Sequence, residues 1–425
     1  MLTVLLWWAW LTAMGLAALP LAYRFFGRLP DRGYAFARPL GLLLATYFLW
    51  LGGSLGLLRN SVGGALFSLF LVAVISLAVY RRGQARAAAA GQVDVGLLAW
   101  LRGHGRLVLS VELLFAGALA LWSFLRAYSP ELTTAGGEKF MEIMYLNSIG
   151  RSDFFPPQDA WLSGYGISYY YFGYVMMATL TRLTGQAAHL TFNVGLASLF
   201  ALTCTGAFGL VYNLVSAAAQ GRRDRPDDGV EARSARPISW GLLGAVLVAV
   251  MGNLEGFLEM LHSLRLLPQA FWRWLDILEI NGPFTAAPSL LPSRSSWWWW
   301  RASRVINDLD PLGNSMGLQP IDEFPGFSFL LGDMHPHVLA LPFVLLVLAL
   351  ALNQLRQPAE LEAESAAWWA PVRRLSPLVP LCLGALGFLN TWDFPIYLLV
   401  FGAAYALQHW PAHGRITWPL IREVG

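Results

Sequence analysis

The sequence predicts an all-α fold, a polytopic transmembrane helix bundle of about ten spans with two large extracytoplasmic loops. Hydrophobic residues fill 56% of the 425 positions and charged residues only 13%, which does not fit the surface of a soluble globule. The mean hydropathy is +0.51. The apolar residues form runs of about 17 to 25, long enough to cross a hydrocarbon core of about 30 Å as helices. We therefore expect a multi-pass protein of the cell membrane, in contact with membrane lipid.

The apolar runs give the predicted spans in chain order. They lie at residues 2–23, 39–58, 62–80, 107–127, 170–185, 189–217, 239–261, 337–355, 376–391 and 395–409. The first run lacks a preceding basic region and is longer than a signal-peptide core. It is therefore interpreted as a retained span, with cleavage near residues 18–22 as the alternative.

Arginine clusters between the runs predict which loops are cytoplasmic. The clusters are Arg24, Arg28, Arg32 and Arg38; Arg81, Arg82 and Arg86; Arg222, Arg223 and Arg225; and Arg356, Arg373 and Arg374. Between the second and third clusters we count three spans, and an odd number would leave those clusters on opposite sides. We resolve this by predicting two short helices in residues 187–215, which contain Gly195, Gly206 and Gly209.

Two domains are predicted. Residues 1–106 form N-terminal transmembrane helices, and residues 107–425 form a second transmembrane module with outer loops at 128–169 and 262–334. The chain ends soon after an apolar run with no closing feature, so the second module is expected to be truncated at its C-terminus. The net charge is only +3 and the arginines lie in loops, which excludes a nucleic-acid footprint.

The first outer loop is rich in acidic residues. Glu138 and Glu142 are spaced i, i+4, so a helix would present both carboxylates on one face, where they could hold a metal or a substrate hydroxyl. Lys139 lies between them and Asp159 follows in the same loop. The alternative is an amphipathic helix that lies along the membrane surface, with Phe140, Ile143 and Met144 in the interface.

The second outer loop ends with Asp333, His335 and His337 directly before a predicted span. Pro336 disfavours helix for the residue before it and suits the first turn of the helix that follows. In an extended segment these three side chains would point the same way, as ligands of a metal. A phosphate at the helix N-terminus is an alternative ligand, and a capping role for Asp333 is the purely structural one.

Further polar residues lie at or near membrane depth. Asp393 and Glu255 each adjoin apolar runs, where a carboxylate needs a partner or water. Arg301 and Arg304 follow four tryptophans and predict either an interfacial belt or a clamp for a lipid phosphate. Three consecutive residues, Tyr169, Tyr170 and Tyr171, begin the span predicted at 170–185, as an interfacial belt with at least one hydroxyl lining the site.

Three stretches carry a resemblance to a known family. They read "EKFMEIMYLNSIGRSDFFPPQDAWLSGYGISYYYFG", "EFPGFSFLLGDMHPHVLALPF" and "NTWDFPIY". Together they resemble the YYY-type family of uncharacterised integral membrane proteins, over residues 112–405. Glu142 stands where the family commonly has aspartate, and Asp159 is followed by Ala160 where a proline is usual.

That family is in turn similar to the GT-C class of membrane glycosyltransferases. The resemblance implies a GT-C-like fold and transfer of a sugar from a polyprenyl-phosphate donor to an acceptor on the extracytoplasmic face. The residues expected to act are Glu138, Glu142 and Asp159 in catalysis; Lys139, Tyr169, Tyr170, Tyr171, Arg301, Arg304, Glu323 and Asp393 in substrate binding; and Asp333, His335 and His337 as metal ligands.

The implied cofactor is a divalent metal, Mg or Mn, and the implied partner a polyprenyl-phosphate sugar. This function requires the acidic segment and the histidine segment to meet above the bilayer. The alternative function is a multi-spanning transporter or flippase that uses intramembrane acids such as Asp393 and Glu255. A scaffold whose outer loops only bind partners is a third. The sequence contains no P-loop and no dinucleotide-binding fingerprint, so nucleotide-driven transport has no local support.

Overall fold

The computed structural model describes residues 1–132, 137–223, 236–278, 280–284, 287–290, 299–317, 320–357 and 376–413. Within these ranges the protein is helical, with two isolated β-bridges and no strand. The chain divides into two compact units. The first comprises Met1–Ala245 together with Met334–Gly425, and the second comprises Val246–Asp333.

The helices follow one another along the chain. They are α1 Leu2–Phe25, α2 Ala37–Ser54, α3 Val62–Ala89, α4 Leu97–Gly103, α5 Gly105–Tyr128, α6 Lys139–Arg151, α7 Phe172–Thr184, α8 Ala188–Arg223, α9 Pro237–Val246, α10 Glu255–Ser263, α11 Gln269–Leu275, α12 Pro325–Leu331, α13 Pro336–Leu355, α14 Leu378–Leu389 and α15 Asp393–His413. A short 3-10 turn precedes α2, and a π-helical stretch, Leu247–Met251, continues α9.

Six helices of the described residues are long and apolar enough to cross a membrane: α1, α2 with its leading turn, α3, α5, α8 and α13. A seventh span results if Pro237–Met251 and Glu255–Ser263 are counted as one broken helix. The protein is therefore a multi-pass membrane protein, but about ten spans are not confirmed. Helices α7 and α14 have 13 and 12 residues, well below the roughly 20 that a crossing requires.

The prediction of two short helices in residues 187–215 is wrong, because α8 is a single continuous helix. Its glycines serve close packing instead. A Cβ on Gly206 would press against Leu345, and a Cβ on Gly209 would press against Ala35 and Phe36. Helix α7 is too short to count among the candidate spans of the described residues, which leaves α5 and α8 as the candidates between the second and third arginine clusters. Two crossings return the chain to the same side.

Helices α8 and α13 form the centre of the first unit. In their most apolar windows 89% and 78% of the residues are buried, compared with 28–33% in α1, α3 and α5. The exposed apolar faces of those three helices, with side chains such as Phe67, Phe70 and Phe124, suit contact with lipid. The core of the first unit is therefore built around α8 and α13.

The C-terminal ends of α1, α8 and α13 meet at one end of the first unit. Asn353 donates to the carbonyl of Phe25 at 3.2 Å, and Arg356 donates to the carbonyl of Arg28 at 2.9 Å and to the side chain of Gln220 at 3.4 Å. We call this the basic end. The N-terminus of α13 lies about 30 Å away along a 20-residue helix.

The second unit contains α10, α11, α12 and the loops between them. The π-helical stretch ends at Gly252, whose φ of 61° is unsuited to most other residues. The side chain of Asn253, two residues before α10 begins, accepts from the amide of Glu255, the first residue of that helix, at 3.2 Å. These two residues explain why the predicted span at 239–261 is interrupted.

Candidate functional site

The acidic helix α6 lies in the first unit, after the outer end of α5. Its buried residues include Glu142, Tyr145, Leu146 and Ile149, while Phe140 is 61% exposed. Glu138 directly precedes the helix, so the two glutamates sit about one turn apart, as the i, i+4 spacing predicts. Their surroundings differ, because Glu142 is fully buried and the side chain of Glu138 is 53% exposed.

The histidine segment, residues 334–337, joins α6 directly. The backbone amide of Met334 donates a hydrogen bond of 2.8 Å to a carboxylate oxygen of Glu142. His335 is extended, with φ −61° and ψ 154°, and α13 starts at Pro336 as predicted. The two segments therefore meet in space although 192 positions separate Glu142 from Met334.

A second contact joins the same segments. Nε2 of His335 lies 3.1 Å from Oε2 of Glu138, and Nδ1 of His335 lies 3.0 Å from Nδ1 of His337. At that distance only one of the two Nδ1 atoms carries a hydrogen, since two donors would repel each other. When His335 donates to Glu138 and is neutral, its Nδ1 accepts from His337.

Asp393 extends this series of titratable groups. It begins α15, lies within electrostatic range of His337 and accepts a 3.1 Å hydrogen bond from the Asn390 side chain. Glu138, His335, His337 and Asp393 thus follow one another in space. Such a series can pass a proton from one group to the next.

Aromatic residues form one wall beside the acids. The ring of Tyr145 stacks on Tyr169 with centroids 5.5 Å apart, and Tyr170 lies 4.6 Å from Tyr169. Burial, followed by the charges of neighbouring groups including Asp159 and Glu138, raises the pKa of Tyr145 to about 12. The Tyr145 phenol therefore keeps its proton at neutral pH, and its buried ring supports that of Tyr169.

The tyrosine triplet directly precedes a helix that is too short to count as a candidate span. It precedes α7, with Tyr171 as the residue before the first helical position, and its three side chains are all half-buried. Tyr171 accepts a 3.1 Å hydrogen bond from Nε1 of Trp50, whereas Tyr169 and Tyr170 form the aromatic wall. The triplet thus ties α2 to the site.

The other predicted residues of the first unit have distinct positions. Lys139 is buried in the first turn of α6, with 5% of its surface exposed. Asp159 accepts from the amides of Trp161 and Leu162 at 2.8 and 3.0 Å and so holds a turn of the loop. Asp159 also acts electrostatically on Tyr145.

Four predicted residues belong to the second unit. Nε of Arg301 lies 3.5 Å from Oε2 of Glu259, and both side chains are nearly buried. Arg304 packs over the ring of Trp300, with its guanidinium carbon 4.2 Å from the ring centroid. Glu323 accepts a 3.1 Å hydrogen bond from the hydroxyl of Ser328. Asp333, the last residue of this unit, is buried.

Within the described part of the chain, no group of three or more His, Cys, Asp or Glu residues has an arrangement suited to hold a metal ion. The predicted set of Asp333, His335 and His337 is therefore not found as a preformed cluster. One reason lies in the first unit, where the two imidazoles direct their Nδ1 atoms at each other.

Two groups of the candidate site were not predicted from the sequence, the Tyr145 side chain and the backbone amide of Met334. Tyr145 lies three residues after Glu142 on α6, and its i, i+3 spacing from a site glutamate is the signal that would have found it. The Met334 amide carries no signal in the sequence, because any residue supplies a backbone N–H.

A family model described as "Uncharacterized membrane protein (DUF2298)" matches residues 44–423, which is most of the chain. No curated protein and no solved structure matches the chain. The family match supports the expected relation to uncharacterised membrane proteins. It gives no support to the further likeness to GT-C glycosyltransferases.

Proposed function

Because this chain belongs to the DUF2298 family of uncharacterised membrane proteins, we propose a function from its own geometry. The proposed function is glycosyltransferase-like transfer of a sugar from a polyprenyl-phosphate donor to an acceptor on the extracytoplasmic face. The observation that carries it is the contact of a half-exposed carboxylate, Glu138, with the imidazole of His335 at 3.1 Å.

Sugar transfer requires a base that accepts the proton of the acceptor hydroxyl. Glu138 suits this role because its side chain is 53% exposed and lies beside a group that can take the proton onward. Glu142 suits a different role. It is fully buried, so its carboxylate positions the histidine segment through the Met334 amide instead of touching substrate.

Sugar transfer also requires stabilisation of the lipid phosphate that leaves. The two histidines share a hydrogen bond at the N-terminus of α13, where backbone amides and the helix dipole favour an anion. Imidazole N–H groups of these histidines, once turned towards the ligand, would hold the leaving phosphate, and the half-buried rings of Tyr169 and Tyr170 would stack on the sugar ring.

A divalent cation, Mg²⁺ or Mn²⁺, is the second means of stabilising that phosphate. His335 and His337 would have to turn apart to bind it, because their Nδ1 atoms face each other. Loss of transfer on addition of EDTA, restored by either ion, is the result expected of the metal. Full transfer in EDTA assigns the stabilisation to the imidazoles.

The test is transfer of labelled sugar from polyprenyl-phosphate donors in vesicles reconstituted with the purified protein. We expect product with the native chain, a loss of at least about 100-fold in Glu138→Gln, and normal turnover in the matched control Glu131→Gln. Glu131 is an exposed glutamate of the same outer loop whose carboxylate accepts from Ser129 at 3.2 Å. Absence of product with the native protein across a panel of donors would overturn the proposal.

Transport is a second candidate function, favoured by the series Glu138, His335, His337 and Asp393. A row of titratable groups between an outer loop and a helix start can carry protons during transport. Counterflow of a solute without a covalent product, lost in Asp393→Asn, would support the transporter in place of the enzyme.

A further inference from the structure

A cavity of about 610 Å³ lies at the basic end, between the C-terminal parts of α1 and α3. Its walls combine cationic, polar and small apolar side chains. They are Arg24, Arg82, Arg86, Gln92, Val79, Ala87 and Ala90, with the backbone of Gly83. None of these residues takes part in the proposed transfer reaction, and the cavity lies at the end of the first unit opposite to Glu138 and His335.

The position of Arg24 in this cavity is fixed from two sides. Nη1 of Arg24 forms a 2.8 Å ion pair with Oδ2 of Asp94. On the other side the guanidinium lies across Gly83, where a Cβ atom would collide with it. The absence of a side chain at position 83 therefore allows the guanidinium to lie against the backbone of α3.

The loop that carries Asp94 is itself held against α3. Asp94 accepts from the amide of Gly96 at 3.2 Å, and the amide of Leu97 donates to the Tyr80 hydroxyl at 2.9 Å. Tyr80 also accepts from the Gln84 side chain at 2.9 Å. The cavity is thus bounded by a tethered loop, which makes it a built feature of the fold.

The charges of the cavity favour an anion. Arg82 and Arg86 are spaced i, i+4 on α3 and so point to the same side, towards which Arg24 also reaches. The residues that line the cavity include three arginines and no acidic residue, and Asp94 pairs with Arg24 alone. Guanidinium groups bind phosphate through paired, charge-assisted hydrogen bonds.

The position of the cavity relative to the membrane favours a lipid as the source of such a phosphate. Helices α1 and α3 are both candidate spans, and the cavity opens where both of them end. The arginines at this end predict the cytoplasmic side, where anionic lipids attract basic residues. Val79, Ala87 and Ala90 add apolar side chains to the lining, which suit contact with the methylenes of a lipid chain.

We propose that this cavity binds the phosphate of an anionic membrane lipid in the cytoplasmic leaflet, through Arg24, Arg82 and Arg86. The lipid would bridge the ends of α1 and α3 and hold the loop of Asp94 in place. This site is independent of the proposed sugar transfer, and its test requires no catalytic activity.

The test compares phosphatidylglycerol with phosphatidylcholine as ligands of the purified protein. Bound lipid is counted by native mass spectrometry, and the apparent melting temperature is followed as each lipid is titrated into detergent. Arg82→Gln/Arg86→Gln removes two cavity arginines, while Arg102→Gln/Arg106→Gln removes the same charge from exposed positions of α4 and α5. We expect preference for phosphatidylglycerol in the native protein and the control, and at least about tenfold weaker binding in the cavity variant.

A second variant alters the cavity without removing a charge, and the melting temperature of each variant before lipid is added shows whether it is folded. Gly83→Ala keeps all three arginines but displaces the guanidinium of Arg24, so it should also weaken binding of phosphatidylglycerol. Equal binding by the cavity variants and the control would overturn the proposal. So would saturation of the same stabilising effect by inorganic phosphate alone, because the ligand would then be a free anion.

Discussion

The i, i+4 spacing of Glu138 and Glu142 places them on one helical face, yet the structure gives the two carboxylates different surroundings. Glu138 is half-exposed and contacts His335, whereas Glu142 is enclosed and accepts from the Met334 amide. The spacing could predict that both carboxylates reach one side of α6. It could not predict which of them is buried, because that depends on a segment almost two hundred positions away.

The first prediction concerns Glu142. Glu142→Ala should lower the free energy of unfolding by about 1–3 kcal/mol, because the buried Met334 amide loses its acceptor. Glu142→Gln keeps an acceptor oxygen and should recover part of that loss. Thermal unfolding in detergent measures both. Equal stability of Glu142→Ala and the native protein would contradict the positioning role.

The second prediction concerns the pH dependence of stability through Asp31, which lies in the turn between α1 and α2. Asp31 is fully buried and accepts from the amide of Gly33 and the side chain of Asn213, both at 2.9 Å. Burial raises its pKa from 3.8 to about 6 despite these hydrogen bonds. The folded state therefore binds a proton that the unfolded state releases, and this contribution to stability is present below about pH 4 and lost as the pH rises through about 6.

Asp31→Asn has no titrating carboxyl group at this position and should lack that dependence. Melting temperatures of the native protein and the variant, measured from pH 4.5 to 7.5, check this. The native protein should lose stability relative to the variant as the pH rises through about 6. A constant difference between the two, or a change of opposite sign, would show that burial of Asp31 does not govern its titration.

At the scale of elements, hydropathy predicted helices well and crossings less well. The run at 170–185 is apolar because α7 is buried among other helices, with Tyr174, Val175 and Met176 fully enclosed. Burial in protein and burial in lipid select the same residue types, so composition alone cannot separate a short core helix from a span. The odd number of predicted spans between the second and third arginine clusters indicated a miscount, but we placed it in residues 187–215, which belong to α8.

The third prediction tests whether α7 crosses. Both ends of α7 contact residues of the outer side, since Trp50 near the end of α2 donates to the Tyr171 hydroxyl and Arg182 donates to the carbonyl of Gly150 in α6. Single cysteines introduced as Ser168→Cys and Ala187→Cys should therefore react with a membrane-impermeant maleimide from the same side. The native Cys204 and Cys382 are buried and give little background. Labelling of the two cysteines from opposite sides would show that α7 crosses the membrane.

The fourth prediction concerns the close packing of α1 against α2. A Cβ on Gly41 would collide with the carbonyl group of Met14, which is backbone and cannot move aside. Gly41→Ala should therefore destabilise the protein by about 1–3 kcal/mol. In the matched control Gly117→Ala, nothing lies within 4 Å of the new Cβ, and the change should be neutral or stabilising by up to about 1 kcal/mol. Equal stability of the two variants would contradict the close approach.

At the scale of the whole chain, the first unit has two chemically different ends. Arginines and the ends of α1, α8 and α13 gather at the basic end, and carboxylates, imidazoles and tyrosines gather at the start of α13. The sequence could predict this division because arginine clusters and acidic loops alternate along it. The contact between the acidic and histidine segments required the fold, since pairing at long range leaves no local pattern.

The fifth prediction addresses whether Glu138 and His335 act as one site. Turnover of a polyprenyl-phosphate sugar in reconstituted vesicles is measured for Glu138→Gln, for His335→Gln and for the double variant. If the two side chains share one step, each single variant should lose at least about 100-fold in turnover. The double variant should then be no less active than the less active single variant. Losses that multiply in the double variant, or full turnover in either single variant, would show that the contact at 3.1 Å has no part in the reaction.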